Sequence, residues 1–356
     1  MTTFALAGTG AMAAVWARCI EATAGLQLRS VASRDPERAR TLARSAGLAA
    51  LTPAELPAGA DITVVAGSPV THARDATTVL RGGGAAVIEA PLCRTLAEAD
   101  ALVEAAAGGA RLAYAENLLY APLIRDALHR MAGLGRAHYV EARAVQAPNP
   151  TRAGHGRDWG GGVLFDAGPH LLAVVLVAIG DDRPVAVQAT LGRAPSSTPD
   201  AVEDQAVLRL RFASGARAAL DVRWAADGAQ CDLQVATATS ALRVELLPDP
   251  HVEHLGVDLP RPPRRRPDVE PAQLEQFGYL DQVAEVACDL TDPARGPWLT
   301  MAFGRSVLDI ICAAYRSAAT GAEEPLPFRG SRTATPWELW RTEPAEPGPT
   351  NDQPHP

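Results

Sequence analysis

The feature that most limits the fold of this chain lies in its first twenty residues. Phe4-Ala5-Leu6-Ala7 is a short apolar run, Gly8-Thr9-Gly10-Ala11-Met12-Ala13 follows, and residues 14–21 (AVWARCIE) carry helical periodicity. Strand, glycine turn and helix in that order fit GxGxxG/A, with Ala13 in the third place. Gly8 lets the chain turn tightly and Gly10 lets the backbone approach a pyrophosphate. The small residue at 13 lets the helix pack on the strand, and the helix start offers N–H donors and a positive dipole end to phosphates. A glycine turn without a ligand is the competing reading.

The next apolar segment, Leu26 to Ala32, ends in Ser33-Arg34-Asp35. An acid at such a strand end binds the ribose 2′-OH of NAD. A serine and a guanidinium suit a 2′-phosphate instead. The segment therefore leans towards NADP(H), with NAD(H) left open because Asp35 could still reach a ribose. Helix 36–46, strand 61–66 ending in Gly67-Ser68-Pro69, helix 71–81 and strand 85–88 continue the alternation. That spacing predicts a parallel, doubly wound α/β sheet, with ligands at the carboxyl ends of its strands. Gly8, Ser33, Gly67 and Glu89 all fall there.

The pattern changes after Pro122. Alternating segments 137–147, 184–193, 203–212, 216–224, 231–236 and 241–247 predict a half-buried antiparallel sheet. Helices are expected at 122–132, 272–290 and 298–319. The boundaries predicted are 1–121 for a dinucleotide domain, 122–330 for an α+β domain with a large open sheet, and 331–356 for a tail whose end is disordered. Within the second half, RDWGGGVLFDAGPHLLAVVLVAIG places Asp166 and His170 four apart on one helix face. Imidazole is the usual proton carrier near neutral pH. A capping Asp166 and a packed core His170 would give the same spacing. Pro169 between them suggests bent early turns or a helix that starts near it.

Composition removes several alternatives. A net charge of −8 argues against nucleic-acid binding. The apolar run 171–180 is too short to span a bilayer. The five scattered cysteines form no metal-type spacing, so no metal is expected and a reducing cytoplasm is. All 33 basic residues are arginine, so the chain has no side-chain amine for proton transfer or Schiff-base chemistry.

The chain resembles the Gfo/Idh/MocA family of NAD(P)-dependent oxidoreductases. The resemblance runs to about residue 330 and rests on GTGAMA at 8–13, VASRDPERA at 31–39, GSPVTHA at 67–73, EAPLCRTLAEA at 89–99, GGGVLFDAGPH at 160–170 and VLDIICAAYRSAATGAEEPLP at 307–327. It implies hydride transfer at a hydroxyl or carbonyl carbon of a sugar, cyclitol or related small molecule. It also implies a homodimer or homotetramer assembled through the outer face of the second sheet. Cofactor contacts would come from Gly8, Gly10, Met12, Ser33, Arg34, Gly67, Ser68, His72 and Glu89. Asp166 and His170 would sit beside the nicotinamide, and Asn117 would line the site where the chain passes between domains.

Two positions depart from the family. Its Glu-Lys-Pro lysine is Ala90 here, and an often acidic position is Ala173. A methyl group cannot carry a proton, and arginine is too basic to stand in. Three expectations follow: His170 carries the proton with Asp166 or Tyr120 assisting; the substrate is an imine that needs less help; or the chain binds NAD(P) without turnover, as a sensor or partner subunit. Trp159, Arg157 and His155 could reach substrate from their loop. His72 is expected to be structural or cofactor-side, and His251 and His254 to be solvated in a proline-rich loop.

Overall fold

The computed structural model describes residues 1–148, 156–194, 201–226, 228–292 and 294–341. The first sheet comprises β1 (Thr2–Ala7), β2 (Leu26–Ala32), β3 (Ala49–Leu51), β4 (Ile62–Val65), β5 (Ala85–Ile88) and β6 (Leu112–Tyr114). All its pairings are parallel, and its order is β3-β2-β1-β4-β5-β6. This is the doubly wound order expected for a dinucleotide fold. The order reverses between β1 and β4, which opens a crevice at their carboxyl ends. Helices α1 (Ala11–Glu21), α2 (Pro36–Ala46), α3 (Pro69–Arg81) and α4 (Leu96–Ala107) connect the strands.

Successive β1 side chains enter opposite cores. Phe4 and Leu6 join Trp16, Ile20 and Val64 on one face, while Ala5 and Ala7 join Val65 and Val79 on the other. Burial on both faces explains why these strands read as continuous apolar runs. Helix α2 has the bounds its sequence signals predict. Asp35 accepts from the amides of Glu37 (3.0 Å) and Arg38 (3.3 Å), proline opens the helix, and Gly47 closes it.

After helix α5 (Pro122–Met131), β7 (Ala137–Gln146) enters the second sheet. The short helix α6 (Gly156–Trp159) and the long α7 (Val163–Ile179) follow. Then come β8 (Pro184–Gly192), β9 (Gln205–Phe212), β10 (Arg217–Trp224), β11 (Gln230–Thr237), β12 (Ala241–Leu247), β13 (His251–His254) and β14 (Val257–Asp258). Helices α8 (Gln273–Gln276), α9 (Tyr279–Thr291) and α10 (Met301–Thr320), strand β15 (Glu324–Pro325) and helix α11 (Pro336–Arg341) complete the described chain. The order is β14-β13-β12-β11-β7-β10-β9-β8-β15, antiparallel throughout except for the parallel β7–β10 pair. That pair cannot be read from alternation, which is the same in both senses of pairing.

Helix α7 packs across β7 and β10. Residues 156–179 are long and apolar enough to cross a membrane by composition, but most of that stretch is buried inside the molecule. Pro169 lies inside α7, so regular helix begins six residues before it. Glu203, fully buried, anchors the helix start: it accepts from the amides of Gly162 and Leu164 (both 3.0 Å) and from the Tyr315 hydroxyl (2.5 Å).

Three expectations are corrected here. The single helix expected at 272–290 is broken between α8 and α9 at Gly278, whose φ is +80°. A Cβ there would meet the Asn117 carbonyl oxygen at 2.3 Å, so the backbones of the two segments touch. Residues 331–341, expected in the tail, are packed: the Trp337 amide donates to Gly160 (2.8 Å) and Trp337 and Leu339 are buried. The rest of the expected tail, 342–356, lies outside the described residues, as does His155. His251 and His254 stand on β13 rather than in a loop. His254 Nε2 lies 2.5 Å from the Ser240 hydroxyl, and His251 Nε2 lies 3.1 Å from Glu253. His251, Glu253 and Asp258 bring their ligand atoms within 4.8 Å of one another, a proximity that sequence spacing did not suggest.

Candidate active site

A groove of about 1010 Å³ runs along the carboxyl ends of β1, β2 and β4. Gly8, Gly10, Ser33, Arg34, Gly67 and Ser68 line it, as the sequence anticipates. Gly8 has φ +135°, and a Cβ would lie 2.7 Å from the Ala66 carbonyl oxygen, so only glycine lets β1 and β4 approach here. A Cβ on Gly10, by contrast, would face open space. Gly10 is the N-cap of α1 and has no side chain to close off the helix amides, and no acid follows in the first turn. Open space, unshielded amides and a positive dipole end fit a pyrophosphate. The Asp35 carboxylate caps α2, while the guanidinium-bearing residues Arg34 and Arg38 are exposed at the groove.

Two expected contacts fall elsewhere. His72 is buried, with Nδ1 3.0 Å from the Pro91 carbonyl oxygen and Nε2 3.3 Å from that of Gly67. Burial, opposed by these carbonyls, holds its pKa below the ordinary value. It ties the loops after β4 and β5 together and does not line the groove. Trp159 lines the groove itself, beside Asp158, and its ring stands edge-on to Phe165 at 5.4 Å.

A second cavity, of about 280 Å³, meets the groove at the start of α1: Ala11 lines the groove and Met12 the cavity. Both sheets contribute to it. From the first come Glu89 and Ala90 after β5, and Asn117 after β6; from the second come Gln146 at the end of β7 and Asp166 and His170 on α7. The two α7 residues do share a face, as their spacing predicts. Asn117 donates to the Phe277 carbonyl (2.8 Å), which fixes the break between α8 and α9 against the cavity. Gln146 donates to Asp166 Oδ2 at 3.2 Å.

The electrostatics centre on an imidazole among carboxylates. His170 Nδ1 lies 2.7 Å from Oε1 of Glu116, which is fully buried. Burial works against a charged His170, but Glu116, helped by Asp166 and Glu89, outweighs it and raises the histidine pKa above its ordinary value. Glu89 is pushed up to about 7, chiefly by burial; the Trp16 indole, which donates to it, and His170 act in the opposite direction. Such an array can hold a hydroxyl and exchange its proton.

Tyr120 does not join it. Its ring is buried between Trp298, edge-on at 5.2 Å, and the Arg125 guanidinium, 4.7 Å from the ring centre. Glu116, Gln146 and Tyr279, which also lines the cavity, were missed by sequence reasoning. Glu116 carried a usable signal. It lies two residues beyond β6, at the same carboxyl edge that singles out Gly8, Gly67 and Glu89.

A doubly wound sheet with a glycine-turn groove, beside a cavity built around an imidazole, is the arrangement of a nicotinamide-dependent oxidoreductase. The profile described as "Oxidoreductase family, NAD-binding Rossmann fold" matches residues 2–115, and that of the GFO/IDH/MocA C-terminal domain matches residues 127–243. The chain belongs to the Gfo/Idh/MocA family and is an NAD(P)-dependent oxidoreductase. Among solved structures it is similar to GenD2 from gentamicin A biosynthesis in complex with NAD, with 27% identity and a TM-score of 0.79 over 91% of this chain and 96% of that one. It shares its fold with the aldose–aldose oxidoreductase of Caulobacter crescentus complexed with glycerol (23% identity, TM-score 0.77, covering 91% and 99%). The same fold occurs in the WlbA dehydrogenase of Bordetella pertussis in complex with NADH and UDP-GlcNAcA (19%, 0.76, 92% and 98%). No curated protein matches the chain.

Proposed function

We propose that the protein interconverts a secondary alcohol and a ketone on a sugar, cyclitol or related small molecule, with His170 as the proton carrier. The carrying observation is the His170–Glu116 pair beside Ala90 in a cavity that meets the dinucleotide groove. Bound dinucleotide supplies the hydride acceptor in one direction and the donor in the other. Glu116 holds Nδ1, which leaves Nε2 to face the substrate. In oxidation, neutral His170 accepts the hydroxyl proton at Nε2 as the carbon gives up its hydride; the products are a ketone, a reduced dinucleotide and an imidazolium. Asp166 orients the hydroxyl. Ser33, Arg34 and Arg38 favour NADP(H) by pairing with a 2′-phosphate. Glycerol and UDP-GlcNAcA in the named structures, and the gentamicin pathway of GenD2, support a polyhydroxylated substrate.

We further propose residues 1–121 as the dinucleotide unit, 122–330 as the substrate unit, and a homo-oligomer through the open face of the second sheet. The test of function is the nicotinamide absorbance on mixing the protein with NADPH or NADH and a panel of keto-sugars, inosose and cyclic imines. Turnover of a ketone that His170→Ala abolishes, with dinucleotide affinity preserved, is the expected result. Binding without any turnover would remove the enzyme assignment of this cavity.

A further inference from the structure

The cavity that holds His170 has an apolar wall as well as a polar one. Leu118, Leu171, Cys231, Leu247 and Phe277 line it together with Glu89, Gln146 and Asp166. Cys231, Leu247 and Phe277 are only partly buried, so apolar surface is left open there. Apolar ligand surface laid on such a wall is favourable, whereas a hydroxyl pressed against it loses water without gaining a partner.

Behind this wall lies a second, smaller hole of about 10 Å³, the room that one water or one methyl group takes. Among the described residues, Leu118, Leu171 and Cys231 are the ones that line both spaces. The rest of the hole is made by core side chains such as Ile124, Val174 and Val244. Asp232, the polar residue at its edge, accepts from the Gln230 side-chain amide at 2.7 Å.

The hole has a structural cause. Cys231 faces Leu247 on β12 but Asp232 faces Glu245, so buried Leu246 is an extra residue without a partner on β11. A bulge of this kind bends its strand and loosens the packing beside it. Leu118, Leu171 and Cys231 therefore have room behind them and can yield to a group lodged against them. Close-packed walls elsewhere in the molecule would not.

At about 280 Å³, the main cavity is at the small end of ligand sites and suits one ring. Resting on the oxidoreductase reading above, we propose that the substrate is a deoxygenated ring, a 6-deoxy sugar or another C-methylated ring. It keeps hydroxyls on the edge towards His170 and sets its methyl group against Leu118, Leu171 and Cys231.

The experiment is saturation-transfer NMR titration of the protein saturated with NADPH. The probes are 6-deoxy-D-glucose against D-glucose, with L-rhamnose against L-mannose as a second pair. Each 6-deoxy sugar is expected to bind about tenfold tighter than its hydroxymethyl partner or better, up to roughly a hundredfold. Its methyl protons are expected to receive more saturation than its ring protons. Cys231→Leu fills the hole and is expected to cut the preference below about twofold. Cys231→Ser keeps the size of the side chain, adds a hydroxyl to the wall and is expected to narrow the preference; it carries the comparison if the leucine variant does not fold. Equal affinity within each pair, a preference for the hydroxymethyl sugars, no binding of either 6-deoxy sugar, or a preference that both variants leave intact overturns the proposal. Reduction of hydroxymethyl keto-sugars under those outcomes would leave the oxidoreductase reading intact. Failure of every ketone and imine to oxidise NADPH would strike that reading instead, whatever the titrations give.

Discussion

His170 Nδ1 and Glu116 Oε1 lie 2.7 Å apart, and this contact joins the core helix of the second sheet to the strand edge of the first. It also fixes the direction of the pH dependence. Glu116 raises the histidine pKa against the effect of burial, so the imidazole keeps its proton to higher pH than an ordinary histidine. In the proposed reaction, oxidation needs the neutral ring. The acidic limb of kcat/KM for alcohol oxidation is therefore expected above the usual histidine range. Glu116→Gln removes the charge and should move that limb to lower pH, while leaving dinucleotide affinity unchanged. A limb that stays in place would detach His170 from the titration that controls the rate.

The groove predicts a cofactor discrimination that one substitution should erase. Arg34 is exposed at the groove, whereas Asp35 is occupied in capping α2. A charge-assisted contact to a 2′-phosphate contributes about 1.5–3 kcal/mol, which is roughly 10- to 150-fold in affinity. Arg34→Ala should weaken NADPH binding by a factor in that range and leave NADH binding nearly unchanged, measured by quenching of tryptophan fluorescence. Equal losses for both dinucleotides would mean that Arg34 does not read the 2′ position.

At Gly10, binding and stability should separate. A side chain there meets open space, so Gly10→Asp need not distort β1 or α1. Aspartate is a good N-cap, better than glycine by a few tenths of a kcal/mol. It also places an anion where the pyrophosphate should lie. The expected result is an unchanged or slightly higher melting temperature with dinucleotide affinity reduced more than about 100-fold, on the order of 3 kcal/mol. Retained affinity would move the pyrophosphate away from the α1 start.

How far the sequence carries the argument depends on where each contact is encoded. The groove is local: Gly8, Gly10, Ser33 and Gly67 sit at strand ends that apolar runs and glycine turns mark directly. The α7 pair is local too, because a four-residue spacing fixes a helix face. The charge that raises His170 is not, since Glu116 is 54 residues away and meets it only when the two sheets dock. Gln146 reaches Asp166 from an ordinary strand end. Tyr120 and His72 show the converse. Each lies beside a functional motif in sequence, and each is turned into packing by neighbours that the local pattern does not specify: Trp298 and Arg125 for one, the Pro91 and Gly67 carbonyls for the other. Strand β3, three residues long and mostly exposed, leaves too little pattern to read.

The anchor beneath the active helix gives a stability prediction with a definite sign. Burial pushes Glu203 up to about 7 from an ordinary value of 4.5, against the pull of the Tyr315 hydroxyl and the Gly162 and Leu164 amides. Between those two values the folded chain binds more protons than the unfolded one, so stability falls as pH rises through the window, and the loss is complete above about 7. The shift corresponds to roughly 3 kcal/mol as an upper bound. Glu203→Gln keeps an acceptor for the amides but cannot ionise. Its denaturant midpoint should change less than that of the parent chain between pH 5 and pH 8, with the variant gaining on the parent at the alkaline end. Identical slopes for the two proteins would show that the carboxyl group titrates alike in the folded and unfolded chains, and that α7 is held by its apolar packing alone.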